Sequence, residues 1–211
     1  MSDKPAEKCK AVFDQLFQSI AWLHLYWHLY RALYGTSPER FEVFNARTGF
    51  VFGVFERTLR NTILLEIAKL LGNHKSVGNE VVSIRRAVVD LPMPDNDLRK
   101  ASFRERVEVL QDKHKAILDI RDRDIAHTDL AVALKREPLD GVSRAAIREA
   151  VEDCVKLTNE VRLAFDGSEY GFPDHRREEG EVQVLLKVLG LGNAEMDRLE
   201  CPAPLDTKFV G

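Results

Sequence analysis

The residues of this chain that could do chemistry are concentrated in one stretch of eleven, Asp119–Asp129, of which seven can ionise. It holds two arginines, four aspartates and His127. A histidine exchanges protons near neutral pH, and an arginine pairs with carboxylates or phosphates through a planar set of donors. The stretch could therefore support acid–base chemistry or anion binding, and it stands at the end of a strongly periodic helix.

Arg121 continues the apolar side of that helix. Reading backwards in alternating steps of four and three, the preceding positions on its face are Ile117, His114, Leu110, Val107 and Phe103. This spacing predicts that Arg121 lies on the buried seam and not on the solvated face. Because an isolated guanidinium is costly to desolvate, a buried Arg121 must be paired.

Two interpretations of the stretch stay open from spacing alone. Arg121 could form a structural salt bridge, with His127 as a cation that the dipole favours at the helix C-terminus. Alternatively, both residues could belong to a site. At about 100° per residue, Arg121 and His127 sit about 120° apart on an ideal α-helix, whereas Arg123 and His127 share a face. Arg121 and His127 can thus serve one site only if the helix loosens there or a second subunit completes the site.

Length and composition indicate an ordinary globular protein. At 211 residues, with 45% hydrophobic and 31% charged residues, we expect one domain over residues 1–190 and a tail over 191–211. A net charge of -3 argues against a general nucleic-acid coat or a membrane-surface binder, but it allows a local basic cleft. An odd number of well-separated cysteines and the lack of a signal peptide favour a cytoplasmic protein with reduced thiols. The apolar run 20–33 is interrupted by His24, His28 and Arg31, which predicts a packed helix and no membrane span.

The periodicity predicts helices throughout and no sustained strand alternation. We expect an all-α fold, an antiparallel bundle of five or six helices. Apolar spacing, caps and breakers place these helices at 5–34, 37–71, 79–89, about 95–127, 143–165 and 174–189.

Other candidate motifs are weaker. His24 and His28 have the i, i+4 spacing of two metal ligands on one helix face. No acidic residue lies between them and no cysteine cluster supplies further ligands, so we predict no metal or other cofactor. We expect both histidines to line a packed or self-associating face. No glycine-rich phosphate loop or activated nucleophile is visible. Basic pairs recur, and they are either solvated helix faces or a converging patch: Arg85/Arg86, Lys113/Lys115, Arg121/Arg123 and Lys135/Arg136.

The stretch resembles the signature of the HEPN superfamily, an arginine, a polar residue, a short gap and a histidine at a helix end. Here it runs Arg121–His127, with five residues between the arginine and the histidine. The extended form through Asp129 looks like the abortive-infection, AbiU-type branch. The upstream segment Phe55–Gly72 resembles that branch's second helix, and Gly180–Leu189 is a weaker match.

The resemblance implies a homodimeric helical domain in which arginine and histidine of both subunits face each other. Many such domains are metal-independent endoribonucleases of toxin–antitoxin or phage-defence systems, so RNA is the expected partner. By this resemblance His127 would exchange a proton with the RNA, Arg121 would stabilise charge on the phosphate, Asp122 would orient or tune the pair, and Arg123 would bind RNA.

One alternative function and one departure from the family pattern accompany this hypothesis. The fold could be a non-catalytic module whose arginine, aspartate and histidine cluster serves an interface, because one fold hosts both kinds of protein. One HEPN branch carries a tyrosine two positions after the histidine, which a partner nucleotidyltransferase modifies. This chain has Asp129 there, so the resemblance does not extend to that regulation, and the identity of any antitoxin stays open.

Overall fold

The structure, a computed structural model, describes residues 4–35, 38–73, 75–76, 79–125, 141–171 and 176–198. Over these ranges the protein is all-α, as predicted. The helices are α1 (Lys4–Tyr34), α2 (Pro38–Asn45), α3 (Gly49–Leu71), α4 (Ile84–Asp90), α5 (Leu98–Lys113), α6 (Lys115–Ile120), α7 (Arg144–Asp166) and α8 (Arg176–Arg198). A π-helical turn, Arg121–Ile125, follows α6 directly. Two short antiparallel strands, β1 (Lys75–Ser76) and β2 (Asn79–Glu80), precede α4.

Some predicted helices are divided in the structure. The predicted helix 37–71 is two helices, because Thr48 directs both its N–H and its hydroxyl to the carbonyl oxygen of Phe44 at 3.1 and 2.9 Å, and Gly49 follows. The predicted helix 79–89 begins only at Ile84. Residues 79–80 instead pair with 75–76, and the buried Ser83 caps α4 by accepting a hydrogen bond from the N–H of Arg86. The predicted last helix reached residue 189, and α8 continues to Arg198.

The helix that carries the candidate site is also interrupted. Asp97 caps α5 by accepting a hydrogen bond from the N–H of Arg99 at 2.8 Å. At His114 the α-helical backbone breaks, with φ -104° and ψ 22°, and α6 restarts one residue later. The predicted end of this helix, at His127, lies outside the described residues.

The chain forms two compact units. Unit 1 is Met1–Leu25 with Asn61–Pro173, and unit 2 is Tyr26–Arg60 with Asp174–Gly211. The assignment of residues 1–190 to one domain stays a prediction. Unit 1 has a core of aliphatic and aromatic side chains with at most 1% exposure: Phe13, Leu16, Ile20, Ile63, Leu64, Ile67, Ile84, Val107, Ile117, Leu157 and Val161.

Unit 2 is organised around aromatic side chains. The rings of Phe44 and Phe52 stack with centroids 4.0 Å apart. The hydroxyl of Tyr34 donates to the carbonyl oxygen of Phe52 at 3.0 Å, and that of Tyr30 donates to Oε1 of Glu56 at 2.9 Å. These contacts fix the first half of α3 within the unit. Among the described helices none has an apolar stretch of membrane-spanning length.

Candidate functional site

The buried seam that leads to the candidate site is present in unit 1. Val107, His114 and Ile117 are 0%, 4% and 1% exposed, so the predicted spacing identifies the packed side of α5 and α6. The last buried residue of this series is Ile120, at 8% exposure. Steps of three from His114 to Ile117 and Ile120 turn the buried stripe away from position 121, because an α-helix needs 3.6 residues for each turn.

The predicted burial of Arg121 is therefore wrong for the single chain. Its side chain is 41% exposed, and Nη1 pairs with Oδ1 of the neighbouring Asp122. The pairing that burial would have required is present, but it is an ion pair near the surface. Exposed ion pairs contribute at most about 1 kcal/mol to the free energy of unfolding, so the Arg121–Asp122 pair adds little to the stability of the fold.

The helix loosens at the candidate residues. Arg121 begins the π-helical turn, which also holds Asp122 and Arg123. π-Helical turns are rare and are frequent at functional sites. The regular α-helix therefore ends at Ile120, and the angular relation of Arg121 to His127 stays a prediction. His127 itself lies outside the described residues, as does Asp129.

Arg121 and Asp122 line an open cavity of about 540 Å³ in unit 1. One wall of the cavity is the C-terminal end of α3 together with Gly72. A side chain at position 72 would clash with the backbone, because an added Cβ would lie 2.9 Å from the carbonyl oxygen of Ala68. The facing wall comes from α5, α6 and the π-helical turn. Charged side chains of both signs line it: Lys69, Lys115, Arg121, Asp112, Asp119 and Asp122. Arg123 is partly buried in the same turn and is not among the lining residues.

Of the remaining basic pairs that the structure describes, Lys113/Lys115 contributes to this cavity and Arg85/Arg86 does not. Lys115 lines it, whereas Lys113 pairs with Asp153 at 2.7 Å and Glu149 at 2.9 Å. Arg86 is buried between Glu80 and Asp90, with both ion pairs at 2.6 Å. Arg85 donates to Glu108 and Gln111, both at 3.2 Å. Lys135 and Arg136 lie outside the described residues. Among the described residues, the basic side chains that line this cavity are Arg121, Lys115 and Lys69, and the sequence analysis did not single out Lys69.

A second polar cluster holds the helix break in place. The buried imidazole of His114 lies with Nε2 2.8 Å from Oδ2 of Asp153 on α7, and Lys113 contacts the same oxygen. Burial by itself raises the pKa of Asp153, but the hydrogen bonds from Lys113 and His114 outweigh it and keep the pKa below its ordinary value. The seam spacing placed His114 on the buried side, and only the fold shows that an acid faces it.

Neither of the two described cysteines, Cys9 and Cys154, has the features of a reactive thiol. Cys9 and Cys154 are buried and reduced. Burial raises the pKa of Cys9 to about 11 and that of Cys154 further, which keeps both thiols protonated near neutral pH. Within the described part of the chain no group of three or more His, Cys, Asp or Glu side chains is arranged to hold a metal ion.

Comparison with known families identifies a match over most of the chain. The family model described as AbiU2, of the HEPN type, matches residues 6–184. The matched region includes both Phe55–Gly72 and the whole stretch from Arg121 to His127. Neither the curated proteins nor the solved structures provide a match.

Proposed function

The chain belongs to the AbiU2 family of the HEPN superfamily, a family of abortive-infection-related helical modules, and on this premise we propose that it is a metal-independent endoribonuclease. It would act as a homodimer in a toxin–antitoxin or phage-defence system. The proposed catalytic residues are Arg121, Asp122 and His127, and Arg123 is the proposed RNA-binding residue.

In the proposed reaction the RNA supplies its own nucleophile. One His127 removes the proton from a 2′-hydroxyl, the 2′ oxygen attacks the adjacent phosphorus, and the bond to the 5′ oxygen breaks. A second His127, from the other subunit, gives a proton to that leaving oxygen. Two-fold symmetry would thus provide a base and an acid from one gene. Arg121 would stabilise the negative charge on the phosphate oxygens, and Asp122 would orient the guanidinium.

The observation that carries the proposal is the position of Arg121 on a π-helical turn at an open cavity that Lys69 and Lys115 also line. Lys69 is 60% exposed and pairs with Glu66 at 2.6 Å, a surface pair that an incoming phosphate can replace at little cost. Within the described residues Lys115 makes no ion pair. These cations would meet the RNA backbone next to the phosphate that Arg121 contacts.

Cleavage of RNA in the presence of EDTA tests the proposal. We expect wild type to cleave, His127→Ala to lose about 10²–10⁴-fold in rate, and Arg121→Ala to lose about 10²–10³-fold. The matched control is Arg148→Ala, an arginine on α7 whose side chain is 61% exposed, which should retain wild-type activity. Equal activity in wild type and His127→Ala would contradict the proposal.

A non-catalytic module is the second candidate, favoured by the three carboxylates that balance the three cations of the cavity. In that case the arginine, aspartate and histidine cluster would stabilise an interface with a partner. Neither wild type nor His127→Ala would then cleave RNA, and the substitution would instead weaken self-association or lower the melting temperature.

A further inference from the structure

The cavity next to Arg121 has two carboxylates that the proposed reaction does not use. Asp122 pairs with Arg121, whereas Asp112 and Asp119 form no hydrogen bond or ion pair through their side chains within the described part of the chain. Asp119 is partly buried and Asp112 is exposed. A carboxylate repels the phosphates of an RNA chain, so contact with the backbone gives no reason for either group.

Asp119 also lies within reach of a cation with which it does not pair. Lys115 precedes it by four positions in α6, a spacing at which oppositely charged side chains lie on one helix face. Among the described residues neither side chain makes an ion pair. Both charges are therefore available to a ligand in the cavity that the two residues line.

Apolar side chains form another part of the cavity wall. Val81 and Val82, just before the N-cap Ser83, line it, and Val82 is 40% exposed. Leu118, the neighbour of Asp119 in α6, lines it as well and is partly buried. Side chains of this kind can pack against the flat ring of a base, whereas a phosphate gains nothing from them.

The side-chain amide of Gln111 is held at both ends. Its Nε2 donates to the carbonyl oxygen of Leu71 at 2.5 Å, and its Oε1 accepts from Arg85 at 3.2 Å. Gln111 therefore joins the ends of α3 and α4 to α5 and supports the wall of the cavity. The acceptor oxygens of Asp119 remain open beside it.

We infer that this cavity selects guanine in the RNA of the proposed reaction, with Asp119 as the residue that reads the base. Guanine has two adjacent donors on its Watson–Crick edge, N1–H and the 2-amino group. The two oxygens of one carboxylate accept both hydrogen bonds at once. Adenine and cytosine place one amino group beside an acceptor nitrogen, and uracil places one N–H between two carbonyl oxygens. Each of these three bases would leave a carboxylate oxygen facing an acceptor.

The position of Asp119 suits this role. It lies in the last turn of α6, directly before the π-helical turn that begins with Arg121. A nucleotide would place its base against Asp119 and Val82 and its phosphate near Arg121 and Lys115. The cavity volume of about 540 Å³ is within the roughly 300–1,000 Å³ of small-ligand sites. Single-stranded RNA is read in this way, through unstacked bases that present their Watson–Crick edges.

The inference takes RNA as the ligand from the proposed function, and binding of RNA that cannot be cleaved tests it separately from catalysis. The probes are 2′-fluoro pentanucleotides of uridine with a central guanine, hypoxanthine or adenine, because a 2′-fluoro sugar has no nucleophilic hydroxyl. Fluorescence anisotropy with the full chain at one salt concentration should give roughly 5–150-fold tighter binding of the guanine probe than of the adenine probe. Hypoxanthine keeps N1–H but lacks the 2-amino group, so its probe should bind with an intermediate affinity.

Substitution of one carboxylate oxygen tests the role of the residue itself. Asp119→Asn should bind the guanine and adenine probes equally well, because one of its two acceptors becomes a donor. The matched control is Asp124→Asn, an exposed aspartate of the π-helical turn that is not among the lining residues, and it should keep the preference for guanine. Both variants remove one negative charge, so the comparison separates base recognition from a general gain in affinity for phosphates.

The outcomes distinguish this inference from the nuclease proposal. Equal binding of the three probes by wild type would overturn the inference even if wild type cleaves RNA in EDTA. A preference for guanine that Asp119→Asn retains would overturn it as well. A preference for guanine without cleavage would support the inference and contradict only the catalytic proposal.

Two further comparisons complete the test. The guanine and hypoxanthine probes are compared on wild type, so that result does not depend on how Asp119→Asn folds. If no probe binds and wild type instead binds a hexa-arginine peptide more tightly than Asp119→Asn does, the ligand of the cavity is a basic protein and the inference fails.

Discussion

At the scale of single residues, the contact between His114 and Asp153, with Nε2 and Oδ2 2.8 Å apart, stabilises the break in the helix that carries the candidate site. His114 stands where the α-helical backbone breaks, and its side chain is 3% exposed. Asp153 holds this imidazole from α7, and Lys113 shares the carboxylate. The pair fixes where α6 begins, and through α6 the position of Arg121.

Replacement of this carboxylate should reduce stability in a pH-dependent way. Although burial raises the pKa of Asp153, the hydrogen bonds from Lys113 and His114 lower it below its ordinary value. A carboxylate with a lowered folded-state pKa stabilises the fold above its unfolded-state pKa of about 3.9, and this contribution is lost as the pH falls through the folded-state pKa. We expect Asp153→Asn to lower the free energy of unfolding by about 1–3 kcal/mol at pH 7, with a smaller loss below about pH 4.

Urea denaturation of both proteins at a series of pH values measures this difference. Glu152→Gln, on the same helix with a side chain that is 69% exposed, is the control and should change stability little at any pH. A loss for Asp153→Asn that is the same at pH 7 and pH 3.5 would show that packing, and not the ionised carboxylate, stabilises the pair.

The candidate site illustrates what side-chain spacing can predict. The spacing identified the buried side of α5 and α6 because apolar burial follows the helical period, and the family match includes the stretch from Arg121 to His127. The spacing did not predict that the side chain of Arg121 is 41% exposed, because this exposure depends on the change from an α-helix to a π-helical turn after Ile120. Lys69 could not be found from the sequence either, because 46 positions separate it from Lys115 and only the fold brings both to one cavity.

At the scale of elements, local signals predicted the ends of helices well where a single side chain or glycine decides them. Ser143 caps α7 by accepting the N–H of Ala146 at 3.1 Å, and Gly167 ends the helix. Non-local pairing was harder to predict. Residues 79–80 pair with residues 75–76 as antiparallel strands, so α4 begins at Ile84 and not at residue 79. The sequence has no strand-like alternation that would predict this pairing.

The end of α7 gives a prediction for one glycine. Gly167 has φ 75°, a left-handed conformation in which a side chain costs about 1–2 kcal/mol. We expect Gly167→Ala to destabilise the protein by that amount and to lower the melting temperature by about 2–4 °C for each kcal/mol. Gly171→Ala is the matched control, because an added Cβ there meets no described atom within 4 Å and the backbone is not left-handed. Equal melting temperatures for the two variants would argue against the left-handed cap as the reason for Gly167.

At the scale of the whole molecule, self-association of the proposed homodimer would link stability to concentration, and we expect it to involve Phe50 and Val54 of α3, which are 70% and 48% exposed. If only the folded chain dimerises, a higher concentration stabilises the folded state by mass action. We expect the melting temperature of wild type to rise by about 1–3 °C for each tenfold increase in concentration, because the free energy of association is shared over two chains.

Phe50→Asp/Val54→Asp should melt at a temperature that does not depend on concentration, because its monomers no longer associate. At low concentration it should approach the wild-type melting temperature, since Phe50 and Val54 are exposed in the single chain and contribute little to its core. Val109→Asp, which replaces a valine of α5 that is 56% exposed, is the control and should keep the wild-type slope. Circular dichroism melts over a hundredfold range of concentration distinguish these outcomes. If the melting temperature of the double variant still rises with concentration as in wild type, the association uses another surface. If the double variant is destabilised at every concentration, Phe50 and Val54 support the fold of unit 2 itself.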